Sequence, residues 1–208
     1  MRALLTCLAL VSVAACGRGR ERAPDPKTDP YKGLELMQPM GKPNFTLTDL
    51  DGHDFNFRHE TDGYLTLLFF GYTNCPDVCP LQMANIGAVL RAAPPEVANR
   101  VKVIFVTTDP DRDSIPVLKA FLGRFSPQII GLTGSHAEIL AAEQAANQMP
   151  AVKDTVDRLP NGQYSVGHSA LVLAYTPDDS LRVVYPFGIR QQDWADDIPK
   201  LVRVGMPR

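Results

Sequence analysis

Cys75 and Cys79 stand three residues apart in Gly71-Tyr72-Thr73-Asn74-Cys75-Pro76-Asp77-Val78-Cys79-Pro80 and are the side chains best suited to chemistry. A thiolate is both a nucleophile and a soft metal ligand, so a pair at this spacing is either redox-active or metal-binding. As a structural staple it has little value, because disulfide stabilisation grows with the length of the loop closed. Each cysteine precedes a proline, which disfavours helical geometry at both. The pair is therefore expected on a loop, with Pro80 at the first position of the following helix. The positive end of that helix would draw the Cys79 thiol toward its thiolate.

The elements around this loop follow from hydrophobic periodicity. Tyr64 to Phe70 is a continuous apolar run, as expected of a strand covered on both faces. Leu81, Ile86, Val89 and Leu90 mark one side of a helix that ends before Pro94-Pro95. The thiol pair thus falls in a strand-to-helix crevice, where open α/β sheets build their sites. Upstream, Asp51-Gly52 between two short apolar stretches predicts an N-terminal β-hairpin. Downstream, Val101 to Val106 reads as a second buried strand, and Ser114 to Phe125 and His136 to Met149 as helices. Tyr164 to Val166 and Ala170 to Tyr175 suggest a strand pair, Leu181 to Pro186 another strand, and Asp193 to Val204 a closing helix. The fold class is α/β: a mixed sheet flanked by helices on both faces.

Other polar or soft side chains fit structural roles better. His53 follows the hairpin turn, and His59 and His136 have no thiol or carboxylate at ligand spacing. Asp109, Asp111 and Asp113 could approach the thiols from a neighbouring strand end, but helix capping and an ion pair with Arg112 explain them more simply. Met37 and Met40 could be soft ligands, yet packing beneath the first strand is the simpler expectation. Trp194 heads the last helix as a core or rim anchor.

The N-terminus is a targeting segment. Residues 1–15 carry one Arg, an apolar stretch and then small residues, which is a secretory signal with a short apolar region. The run Val13-Ala14-Ala15-Cys16 looks like a bacterial lipobox, with Val where Leu is usual, in which Cys16 becomes lipid-modified. Residues 16–30, rich in Arg, Asp, Pro and Gly, then form a flexible tether, and residues 31–208 one globular domain. With Cys7 in the signal and Cys16 lipidated, Cys75 and Cys79 are the remaining thiols, in an oxidising or redox-managed compartment. The expected location is an exported, membrane-anchored bacterial lipoprotein with its domain in the periplasm or outside the cytoplasmic membrane. A net charge of −2 offers nucleic acid no electrostatic footprint. No apolar stretch reaches the roughly 18 residues of a membrane span.

Taken together, three motifs resemble the Sco/SenC family of thioredoxin-like copper chaperones of cytochrome c oxidase assembly. GYTNCPDVCP resembles its copper-site signature, Val166-Gly167-His168-Ser169 its histidine ahead of a late strand, and Thr108-Asp109-Pro110-Asp111-Arg112-Asp113 a third mark. The resemblance implies a thioredoxin-like fold and a copper site of Cys75, Cys79 and His168. Two thiolates and an imidazole suit Cu(I), and Cu(II) with a weak fourth oxygen, while the same set can also bind Zn(II). It also implies a Cys75–Cys79 disulfide in the oxidised protein. The implied partners are the copper-bearing oxidase subunit, another copper chaperone or a thiol reductant, and the membrane through the lipid. Many members carry Asp where this chain has Gly167, which removes a partner for the site histidine. A different class, a thiol–disulfide oxidoreductase keeping a copper protein's cysteines reduced, would use the same thiols without His168.

Overall fold

The computed structural model describes residues 30–159 and 163–205; residues 1–29, and with them the signal, Cys16 and most of the tether, lie outside the described residues. In chain order the elements are β1 (Leu34–Gly41), β2 (Thr46–Asp49), β3 (Asp54–Asn56), α1 (Phe57–Glu60), β4 (Leu65–Gly71), α2 (Val78–Ala92), α3 (Pro95–Ala98) and β5 (Val101–Thr107). They continue with α4 (Ile115–Leu122), β6 (Ile129–Thr133), α5 (His136–Ala145), β7 (Val152–Leu159), β8 (Gln163–Gly167), β9 (Val172–Thr176), β10 (Ser180–Tyr185) and α6 (Gln191–Leu201).

Eight strands form one mixed sheet in the order β1-β10-β9-β4-β5-β6-β2-β3. β4, β5 and β6 run parallel, and β9 lies antiparallel to β4 on its other side. Every residue of β4 is buried, because helices cover both faces. On one face Leu65, Leu67 and Phe69 pack with Met83, Ile86 and Leu90 of α2, Phe121 of α4 and Trp194 of α6. On the other, Leu68 and Phe70 meet Phe57 of α1 and Ile139 of α5. Each such side chain taken from water contributes about 1.5–3 kcal/mol, so β4 is fixed from both sides at the strand end that carries the thiols. The α/β architecture, the N-terminal hairpin (β2–β3) and Trp194 as a core anchor agree with the sequence.

Several local expectations are corrected. The helix after β4 begins at Val78, so Cys79 is helical and Pro80 sits third in it. The first amides of a helix have no partner within it, so a proline at the third position sacrifices no hydrogen bond; the first helical bond runs from Leu81 N–H to Asp77. The buried stripe of α2 is Cys79, Met83, Ile86 and Leu90, whereas Leu81 is exposed. Tyr164 to Val166 does not pair with β9: β8 pairs with β7 in a separate two-stranded ribbon, and β9 joins the main sheet between β4 and β10. α5 stops at Ala145, and Asn147 takes the left-handed conformation (φ 54°) that turns the chain away. Met37 and Met40 do not pack beneath a strand. Both are exposed on β1, the sheet edge, where the ladder to β10 is interrupted between Glu35 and Met40.

Candidate metal centre

β4 delivers the chain to the centre and α2 leads it away. Gly71 ends β4, and its lack of a side chain is required: a Cβ there would lie 2.8 Å from Cys79 Sγ and 2.7 Å from Phe69. The loop that follows is anchored from β5. Thr73 donates from both its amide (3.0 Å) and its hydroxyl to the Asp113 carboxylate, which also accepts from the Thr107 hydroxyl at 2.7 Å. Asp113 is buried, which pushes its carboxyl above the usual range while these bonds pull it down. It is a loop anchor and not the helix cap expected from sequence.

The two thiols occupy different environments. Asp77, at the N-cap position of α2, makes no side-chain cap bond. Cys75 takes that role: its sulfur accepts from the Cys79 amide at 3.4 Å and from the Asp77 amide. With the Cys79 thiol as the largest contributor, His168 next and these amides after, the Cys75 thiol falls to about 4 despite its burial. Cys79, fully buried at the head of the α2 stripe, moves strongly upward through desolvation and the neighbouring sulfur. The reduced pair therefore holds one charge, on Cys75. This reverses the expectation that the helix end activates Cys79. Both thiols are free in the structure.

His168 arrives from the ribbon, directly after β8. Its Nε2 lies 3.6 Å from Cys79 Sγ. Its Nδ1–H donates to the Ser169 carbonyl at 2.9 Å, which sets the ring with Nε2 facing the thiols. Phe69 and Tyr72 hold the imidazole edge-on, with ring centroids 5.9 and 5.5 Å away. The ribbon itself is fastened by the third motif. Tyr164 donates its hydroxyl to Asp109 at 2.7 Å, Arg112 donates to the Tyr164 carbonyl at 3.0 Å, and the Arg112 guanidinium lies 3.6 Å from the Tyr164 ring centroid. Asp109 and Arg112 also form the ion pair expected from sequence. Asp111 points elsewhere, to His136 (2.9 Å) and Lys153 (3.9 Å). His53 and His59 are exposed and lie outside the cluster.

Cys75 Sγ, Cys79 Sγ and the His168 nitrogen all lie within 4.8 Å of one another. Bonds of about 2.3 Å from a trigonal ion would set its ligands about 4 Å apart, so only a small contraction closes the set. Two sulfurs and one imidazole are soft donors that fit copper, and Cu(I) in particular. Gly167 leaves open space: a Cβ there meets only the Val152 carbonyl, at 3.6 Å.

A family model described as SCO1/SenC matches residues 35–203. Mitochondrial SCO1 of Saccharomyces cerevisiae is 31% identical over 181 residues, which is 85% of this chain and 59% of that protein, so the chain spans less than two thirds of its length. The structure of Bradyrhizobium japonicum ScoI with copper bound aligns with a TM-score of 0.68 at 32% identity, over 78% of this chain and all of that one. A SCO1/SenC family lipoprotein from Bacillus anthracis aligns with a TM-score of 0.62 at 26% identity, over 80% of this chain and 98% of that one. The mixed sheet with helices on both faces is thus the thioredoxin-like fold.

Proposed function

Because the chain belongs to the SCO1/SenC family, we propose that it is a metallochaperone that captures copper between Cys75, Cys79 and His168 and passes it to the dinuclear copper centre of cytochrome c oxidase. The observation that carries the reading is the convergence of two sulfurs and an imidazole nitrogen within 4.8 Å. Capture of Cu(I) uses the Cys75 thiolate as it stands and replaces the proton of Cys79, after which His168 closes the set. The Cys75–Cys79 disulfide is the state of the oxidised, copper-free protein, and a thiol reductant or another copper chaperone would act before loading. Cys16 carries the lipid and anchors the exported domain to a membrane.

The oxidoreductase alternative is disfavoured by the burial of both thiols and by the imidazole turned toward Cys79, which dithiol exchange leaves without a role. The test is copper titration of the reduced soluble domain beside His168→Ala. Loss of the imidazole should leave Cu(I) on two thiolates, weaken Cu(II) at least tenfold and alter its thiolate charge-transfer absorption. Equal Cu(II) affinity in both proteins, with normal oxidase assembly by the variant at limiting copper, refutes the assignment.

A further inference from the structure

The imidazole that closes the metal site is held by a chain of hydrogen bonds that ends in the body of the fold. Phe69 and Tyr72 fix the plane of the His168 ring, but an apolar edge contact does not tell one ring nitrogen from the other. The Ser169 carbonyl does. It accepts from Nδ1 at 2.9 Å, and Nε2 is thereby the atom turned to Cys79. Gly167, on the other side of the histidine, has no side chain to share this task. Ser169 itself lies between β8 and β9, outside both strands, so its carbonyl needs another tie.

That tie is Gln148. Its Oε1 accepts from the Ser169 hydroxyl at 2.7 Å, while its Nε2 donates to the Ala146 and Asn147 carbonyls, both at 3.3 Å. The two donations settle which end of the amide faces Ser169. The backbone beneath Gln148 is fixed as well. It follows the left-handed turn at Asn147, and its N–H donates to the Glu143 carbonyl at 2.8 Å. The buried Glu143 carboxylate accepts from Ala151 N–H at 3.1 Å, so one residue of α5 clamps both ends of residues 148–151. α5 in turn packs Ile139 and Ala142 into the core on one face of the main sheet. The chain thus runs from His168 through Ser169 and Gln148 to a helix of the rigid interior.

We propose that Gln148 is a positioning residue of the metal centre, which through the Ser169 hydroxyl fixes the carbonyl that aims His168 Nε2 at the two sulfurs. This rests on the copper reading. The bonds of Gln148 go to Ser169 and to its own segment, so it acts on the ion through His168. Cu(I) can stay on two thiolates, whereas Cu(II) calls on the imidazole, so the loss falls on Cu(II).

The test is Cu(II) titration of the reduced protein, read by affinity and by thiolate charge-transfer absorption. The proteins compared are wild type, Gln148→Leu, Ser169→Ala, His168→Ala and the double variant Gln148→Leu/His168→Ala. Gln148→Leu and Ser169→Ala break one bond from its two sides, and both positions are only half-buried, so if either fails to fold the other carries the test. Each should weaken Cu(II) binding about tenfold and shift the absorption, with Cu(I) affinity unchanged within threefold. In the His168→Ala background Gln148→Leu should change nothing further, a result that a general loosening of the fold would not give. Wild-type Cu(II) binding by either folded single variant, or equal weakening by Gln148→Leu with and without His168, overturns the proposal. Wild-type Cu(II) binding by His168→Ala would instead sink the copper reading itself.

Discussion

Gly71→Ala is the sharpest test of how the fold sets the site. The backbone at Gly71 lies outside the left-handed region, so alanine meets no conformational penalty there and the effect is steric. Its Cβ would fall 2.7 Å from Phe69 Cε1, 2.8 Å from Cys79 Sγ and 3.2 Å from Phe105 Cε2, and all three side chains are fully buried. Overpacking of such a core costs about 1–3 kcal/mol. For a domain of this size about 2 kcal/mol lowers the melting temperature by about 4–8 °C. Relief of the contact moves Cys79 Sγ, and with it one ligand of three, so Cu(I) binding should weaken by about tenfold. Gly167→Ala is the matched control, since its Cβ makes only an ordinary contact of 3.6 Å; its stability should stay within about 0.5 kcal/mol of wild type. Both are read by urea or thermal unfolding of the reduced apo-domain and by Cu(I) competition with a chelator. Equal stability and equal Cu(I) affinity for the two alanine variants would show that Cys79 does not rest on Gly71, and the ligand geometry described above would be wrong.

Because the Cys75 thiol is held at about 4 while Cys79 is pushed upward, the 240 nm thiolate absorbance of the reduced apo-domain should persist down to about pH 5 and vanish in Cys75→Ser. The corresponding stability is fully present above the ordinary thiol range and is lost as pH falls through about 4, which an acid unfolding series on the same pair would record. Asp113→Ala leaves the half-buried Thr73 and the buried Thr107 donors without their carboxylate and should cost about 1–3 kcal/mol in urea unfolding, with a larger loss of Cu(II) affinity than an exposed control such as Asp51→Ala. Gly167→Asp fits the open space and places a carboxylate beside the site histidine; titration should show Cu(II) binding strengthened several-fold at near-constant stability. Cys16→Ser should abolish lipid labelling in cells while leaving copper binding by the soluble domain unchanged, and persistent labelling would remove the lipid anchor from the account.

Much of this was legible in the sequence, for stated reasons. β4 and β5 are apolar at nearly every position because two layers of helices cover them, and a buried parallel strand shows as an unbroken run. β7 and β8 were not legible as a pair. β7, Val152–Leu159, mixes Lys, Asp, Thr and Arg, and a polar ribbon outside the main sheet carries no periodicity that names its partner. His168 lies 89 residues from Cys79, so spacing alone could not bring it to the thiols, and only the resemblance did. Asp113 was missed as a loop anchor although a signal existed: β4 and β5 pair in parallel register with Gly71 opposite Thr107, so the loops after both strands must meet. The helical start at Val78 runs against the local preference of a residue before proline and follows the α2 stripe, in which Cys79 keeps step with Met83, Ile86 and Leu90.

The inequality of the two thiols explains why a nearly dry pocket can accept a metal ion at all. A buried dithiolate would place two like charges in a medium that solvates neither, and the upward shift of Cys79 is the structure's way of avoiding that state. The empty reduced site thus holds one negative charge, on Cys75, stabilised by the first amides of α2. When Cu(I) binds, the Cys79 proton departs and two thiolates share one monovalent cation, so the net charge of the site is again −1. Loading is an exchange of one cation for another at constant charge, and the surrounding dipoles need little reorganisation. The consequence is quantitative: near pH 7, calorimetry in buffers of differing ionisation enthalpy should find about one proton released per Cu(I), where two ordinary thiols would release about two. A release close to two would mean that Cys75 is protonated in the apo-domain, and that the helix end does not hold the charge assigned to it here.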